Sequence, residues 1–205
     1  MNKIIPKKLK IGDEIRIIAP SRSMKILGKD VIEIARGRLE QMGYKVSFGK
    51  NVMSSINEDF LCGSISDRVE DLHEAFKERN VKAILTVIGG YNINQLLDYI
   101  DYALIKDNPK ILCGFSDITA LSNAIYSKTG LVTYYGPHFS SFGMKYGFDY
   151  TLNYFKEMLT DSKEVIIKNS SEWSDDSWYK DQENREFIKN DGMKAINHGK
   201  TEGRI

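Results

Sequence analysis

A serine between an aromatic residue and an acid, set where an apolar run gives way to a helical pattern, is a candidate for nucleophilic chemistry. Here it is Ser116 in "KILCGFSDITALSN", residues 110–123. Gly114, two residues earlier, permits a tight turn, and the helix-like run that follows directs its first N–H groups back at the serine. Such a turn exposes the hydroxyl and makes the next amide, that of Asp117, a donor to a developing oxyanion. The usual elbow carries a second glycine two residues after the serine, where this chain has Ile118. On the motif alone a helix cap is the simpler reading, since serine and aspartate are ordinary caps.

A second loop bears on that choice. In "IGGYN" Gly89 and Gly90 directly follow the most apolar run of the chain, where they allow close backbone approach or positive φ. Their amides would oppose the Asp117 N–H as further oxyanion donors; the plainer alternative is a turn for chain reversal. Neither the spaced glycines of a dinucleotide fingerprint nor a Gly-Lys-Ser/Thr ending is present. Tyr91 and Asn92 are expected to contact substrate.

A serine nucleophile also needs a base and a group to orient it. The histidines are His73, His138 and His198. His73 falls on a predicted helix and His198 in a glycine-flanked tail turn. His138 follows "YYGP" at a strand end and is the one placed near Ser116, as a substrate contact or as a base. Trp173 and Trp178 sit in a polar loop, either anchoring it or stacking on a planar ligand. Cys62 and Cys113 lack metal-knuckle or disulfide spacing, and no metal or cofactor is expected.

The elements that must position these residues alternate. "EIRIIAP", "YKVSFGKN", "VKAILTVIGG", "KILCGF" and "LVTYYGP" read as strands. Between them, "DVIEIARGRLEQMG", "DRVEDLHEAFKERN", "NINQLLDYI" and "DITALSNAIYSKTG" carry helical spacing, with Asp67 and Glu70 in capping-box register; "YTLNYFKEML" adds a last helix. Short connections between alternating strands and helices predict a doubly wound α/β domain with a parallel sheet, over residues 1–168. Ligands gather outside the carboxyl ends of such strands, where the loops 19–23, 88–94, 114–119 and 134–140 converge. Residues 169–205 read as a linker and the incomplete start of a β-rich second domain, with strand fragments on either side of Gly192. The unpaired strands of such a part-domain predict a homodimer.

Lys plus Arg total 29 and Asp plus Glu 28, so no net field recommends a nucleic acid polymer or an anionic membrane. The basic cluster Lys3, Lys7, Lys8, Lys10 reads as a solvated arm rather than a phosphate-binding patch. No apolar run approaches a membrane span and no signal-peptide block opens the chain, so a cytoplasmic protein with reduced thiols is expected.

"LCGSISDRVEDLHEAF", "IGGYNINQLL" and "KILCGFSDITALSNAIYSKTGLVTYYGP" occur in an order that resembles a serine carboxypeptidase family, the muramoyl-tetrapeptide L,D-carboxypeptidases and microcin C immunity proteins. "EWSDDSWYKDQENREF" with "INHGKTEGRI" is similar to the immunity branch. The resemblance implies Ser116 as nucleophile, with the amides of Asp117, Gly89 and Gly90 as oxyanion donors. It implies that a tryptophan, Trp173 or Trp178, stacks on a nucleotide base. The family completes its triad with a glutamate and a histidine from a C-terminal domain, and no residue here matches either. The implied substrate is a small peptide or an aminoacyl nucleotide with an acidic aminoacyl group; the alternative is a cell-wall tetrapeptide. A non-catalytic ligand-binding module is the rival of another class. Missing the base of such a triad lowers rates on the order of 10⁴–10⁶-fold, so this chain is expected to be nearly inactive alone.

Overall fold

The computed structural model describes residues 2–55, 61–160, 164–192, 194 and 196–200. Five strands form one parallel sheet in the order β2-β1-β3-β4-β5: β1 (Glu14–Ile18), β2 (Lys45–Phe48), β3 (Val81–Thr86), β4 (Ile111–Gly114) and β5 (Tyr134–Tyr135). The order reverses direction between β1 and β3, which opens a crevice above their carboxyl ends. The doubly wound parallel sheet read from the sequence is therefore the architecture of the chain.

Strand side chains alternate between two buried clusters because successive residues face opposite sides of a pleat. Ile15, Ile17, Ala83, Leu85, Ile111 and Cys113 pack with Ala35 and Leu39 of α1 (Lys29–Gln41) and with Phe155 and Leu159 of α5 (Asp149–Thr160). Ile84 and Leu112 turn the other way, toward α2 (Ile65–Lys77), α3 (Tyr102–Asp107) and α4 (Ile118–Thr129). Both faces are covered, which is why the central strands read as unbroken apolar runs. A 3-10 turn at Phe139–Gly143 closes against α1; any side chain at Gly143 would stand 2.5 Å from Val31.

Local signals set most boundaries. Gly43 after α1 and Gly130 after α4 take φ of 88° and 80°, the left-handed closure that glycine adopts without a Cβ penalty. The start of α2 differs from the Asp67–Glu70 reading: Ser64 is the cap, and its Oγ accepts the Asp67 N–H at 3.0 Å. "NINQLLDYI" forms a 3-10 turn at Ile93–Tyr99 rather than an α-helix. The N–H groups of Asn92 and Ile93 are both drawn to a carboxylate on another loop.

In the tail, β6 (Glu172–Trp173) pairs antiparallel with β7 (Ile188–Lys189). The fragment expected after Gly192 lies partly outside the described residues. Among those described, no helix is long and apolar enough to cross a membrane. Cys62 and Cys113 are both free and buried, and burial pushes the Cys113 thiol up to about 12.

Replacing Ser64 with alanine should cost about 1 kcal/mol, the ordinary worth of a serine cap. Urea denaturation should show a lower midpoint with an unchanged slope.

Candidate active site

Ser116 lies between β4 and α4 with φ of 61°, one of two non-glycine residues at positive φ among those described. Such a conformation costs about 1–3 kcal/mol and persists only where the surroundings impose it. Here they do. Gly114 immediately before the turn has no room for a methyl group, whose carbon would sit 2.3 Å from Thr86 Oγ1 and 3.1 Å from Ile118 Cγ2. Asp117 occupies the cap position of α4 but makes no side-chain cap bond. The helix-cap reading of this pair is thus not what the fold uses: the serine is exposed and the aspartate reaches elsewhere.

Asp117 Oδ2 accepts from Ser21 Oγ at 2.6 Å, Asn92 N at 3.0 Å and Ile93 N at 3.1 Å. One carboxylate oxygen thereby joins the loops after β1, β3 and β4. Arg68 of α2, only 3 % exposed, secures the same loops from below. It donates to Pro20 O, to Asn92 O and Oδ1, and to Gln95 Oε1. The buried cation sits in the field of Asp117, which offsets part of its desolvation.

The two glycines after β3 meet the serine turn. A Cβ at Gly89 would lie 3.1 Å from Ser116 Cβ, 3.2 Å from Ser116 Oγ and 3.4 Å from His138 Nε2. A Cβ at Gly90 would stand 2.3 Å from Ser21 Oγ. Both are close-approach positions, which chain reversal alone does not require. Among the described residues the main-chain N–H groups of Gly89, Gly90 and Asp117 donate to no acceptor.

His138 is 2 % exposed, with Nδ1 hydrogen-bonded to Thr86 Oγ1 at 2.9 Å and its ring stacked on Phe115 at 4.1 Å. Burial lowers its pKa to about 4, so the ring is neutral near pH 7. Its Nε2 has no partner. The other buried orphan side-chain atoms among the described residues are Asn92 Nδ2 and Arg185 Nε. All three border this end of the sheet, and buried orphans in a native fold call for an explanation.

Beside the serine turn, Phe115, Tyr135, Gly136 and Pro137 form one side of a cavity of about 570 Å³. Trp173, Arg185 and Phe187 of the tail form another. Trp178 instead sits edge-on to Tyr179 and does not line this space. Tyr91 is exposed, whereas the Asn92 side chain is buried in the Arg68 bracket. The sequence reading missed Arg68, Thr86 and Arg185. Thr86, a hydroxyl inside an otherwise apolar strand, was the one with a visible cue.

The chain matches the model of the LD-carboxypeptidase N-terminal domain over residues 15–136. It is 54% identical over 198 residues to the putative carboxypeptidase YocD of Bacillus subtilis, covering 97% of this chain and 60% of that protein. The microcin C7 self-immunity protein MccF of Escherichia coli is 32% identical over 98% of this chain and 60% of its own length. The chain thus spans about 60% of the length of these curated relatives. A crystal structure of an MccF-like protein from Bacillus anthracis superposes with a TM-score of 0.89 at 58% identity, over 92% of this chain and 57% of that one. MccF in complex with glutamyl sulfamoyl guanosine gives a TM-score of 0.83 at 31% identity, over 91% and 57%.

Asp117→Asn keeps the shape of the bracket but removes its anionic acceptor, and should cost about 2 kcal/mol of stability. Circular dichroism melts would reveal it as a lowered Tm. His138 should titrate near 4 by NMR. Since its folded pKa lies below the 6.5 of a free histidine, its stabilisation is complete above 6.5 and lost as pH falls from there toward 4. His73, also lowered by burial, acts with the same sign. The diagnostic is therefore a shallower acid slope in His138→Gln than in the parent.

Proposed function

Because this chain belongs to the LD-carboxypeptidase family, we propose that it carries the nucleophile-bearing part of a serine peptidase, with Ser116 as nucleophile. The observation that carries the reading is the positive φ at an exposed Ser116 directly opposite Gly89. An ordinary cap has no need of that strain, whereas a nucleophile elbow consists of it.

In this reading Ser116 Oγ adds to the carbonyl carbon of an amide-type bond as its proton passes to a base. The unpaired amides of Gly89, Gly90 and Asp117 receive the oxyanion. Collapse of the adduct expels the protonated amine and leaves an ester on Ser116, which water then hydrolyses. Preorganised donors of this kind are worth about 3–4 kcal/mol each to the transition state. We take residues 1–168 as the domain that supplies these parts and 169–205 as the linker and opening of a second one.

The substrate we favour is an aminoacyl nucleotide with an acidic aminoacyl group. Supporting it, Trp173 offers an aromatic face and Arg185 a cation in one cavity that Phe115, the residue before Ser116, also lines, and MccF has been captured with glutamyl sulfamoyl guanosine. Tyr91 and His138 are the further substrate contacts we assign. Among the described residues, the imidazole beside Ser116 is oriented by a threonine hydroxyl rather than a carboxylate. A Thr86-held, neutral His138 is a weak base, so we expect slow turnover from this 205-residue chain.

Incubation with a fluorophosphonate should place one adduct on the Ser116 peptide by mass spectrometry, absent in Ser116→Ala. Release of glutamate from glutamyl sulfamoyl adenosine should be at most slow, and Trp173→Ala should weaken binding about tenfold. Labelling that persists in Ser116→Ala would remove the nucleophile assignment.

A further inference from the structure

The amino ends of the strands hold a second cavity, on the edge of the sheet opposite Ser116. Its volume is about 720 Å³. It is bounded by the N-terminal arm, the residue before β1, the start of β3 and the loop leading into β4. The arm is docked rather than free. Leu9 and Pro6 are buried, Ile4 bridges Leu131, and the Leu9 N–H donates to Leu159 O at 2.8 Å.

Lys7, Lys8, Lys10, Arg79, Lys82 and Lys110 all line this cavity, against a single carboxylate, Asp13. Lys8 is otherwise engaged, its ammonium bonded to Met158 O and lying over the Tyr134 ring. The remaining five cations have no carboxylate within ion-pair distance among the described residues. Asp13 forms no ion pair with these side chains among the described residues; its Oδ2 accepts the main-chain N–H of Lys10. Lys82 and Lys110 are held only by carbonyls, those of Arg79 and Glu78. Each ammonium has three donors and keeps the others for something else.

Lys110 is the most telling member. It is 8 % exposed, and burial and the Lys82 charge bring its pKa down to about 8, with Glu78 and Glu14 opposing and Arg16 adding to the fall. Burial disfavours the charged form of this lysine, and an anion bound beside it would restore that form. A fold with nearly balanced charge overall has gathered six cations against one carboxylate in the lining of one concavity.

We propose that this cavity is a binding site for an oligophosphate group, on a condensed phosphate or a phosphorylated small molecule. Four lysine point charges and the Arg79 guanidinium around one space suit the charge density of a di- or triphosphate better than a lone carboxylate. Among the described residues no aromatic ring lines the cavity, so a nucleobase gains no stacking surface from them there. The site is independent of Ser116: the two lie at opposite ends of β4.

The experiment uses the 205-residue chain and inorganic tripolyphosphate as probe, followed by calorimetry and by amide and lysine NMR. Binding should perturb residues 7–13, 79–82 and 108–110, raise the Lys110 pKa, and weaken as salt increases. Arg79→Ala/Lys82→Ala removes two exposed cations without touching the core and should weaken binding at least tenfold; Ser116→Ala should leave it unchanged. ATP should bind no more tightly than tripolyphosphate. No saturable binding, equal affinity in the double variant, or perturbation centred on Ser116 would each overturn the proposal.

Discussion

One carboxylate oxygen holds the candidate active site together. Asp117 Oδ2 draws in a hydroxyl from the loop after β1 and two amides from the loop after β3, while its own backbone forms the turn after β4. Loops leaving neighbouring parallel strands have no hydrogen-bond ladder to keep them in register. The carboxylate substitutes for one, and its charge in turn offsets part of the desolvation of the buried Arg68 guanidinium beneath. The glycines fit this arrangement because the loops are pulled closer than a β-carbon allows. Strain at Ser116 is thus borne by packing at Gly114, Gly89 and Ile118, together with the Thr119 N–H and Oγ1 donating to the Ser116 carbonyl.

Much of this was legible in the chain. Apolar runs without alternation foretold strands buried on both faces, and they are. The pairing of "IGG" with "GFSD" foretold that two strand-end loops would meet, because small residues after adjacent strands have few other uses. What could not be read was which polar residues face inward. Arg68 sits on an amphipathic helix among Ser64, Asp67 and Asp71, and a charged residue there looks solvated by pattern. Asn92 lies in a loop rich in polar residues, yet its side chain is 3 % exposed. Burial of a polar group is decided by partners far apart in sequence, such as Ser21, 71 residues away, whose hydroxyl donates to Asn92 Oδ1. Local periodicity carries no record of them.

The helix starts show the same limit at shorter range. Asp67 and Glu70 have the spacing of a capping box, but a serine three residues before Asp67 accepts its N–H and begins the helix earlier. Competing caps are resolved by where the chain enters from, and the loop geometry that fixes the entry is tertiary. The 3-10 turn at Ile93–Tyr99 likewise starts from a tertiary contact, its two leading amides, which no helix would use internally, donating to Asp117.

The cavity beside Ser116 has two sides of different construction. Its floor belongs to the sheet edge. Its far wall is tail, fastened by a few discrete ties: Gln182 bonds the Lys145 amide and Gly143 carbonyl, Arg185 bonds Tyr146 O, and Phe187 fills the space that Gly147 leaves empty. None of those ties involves Ser21, Arg68, Asn92 or Asp117. Substitutions in the wall and in the floor should therefore be close to additive. A lineage built this way is free to exchange what the cavity admits while the reacting apparatus stays fixed.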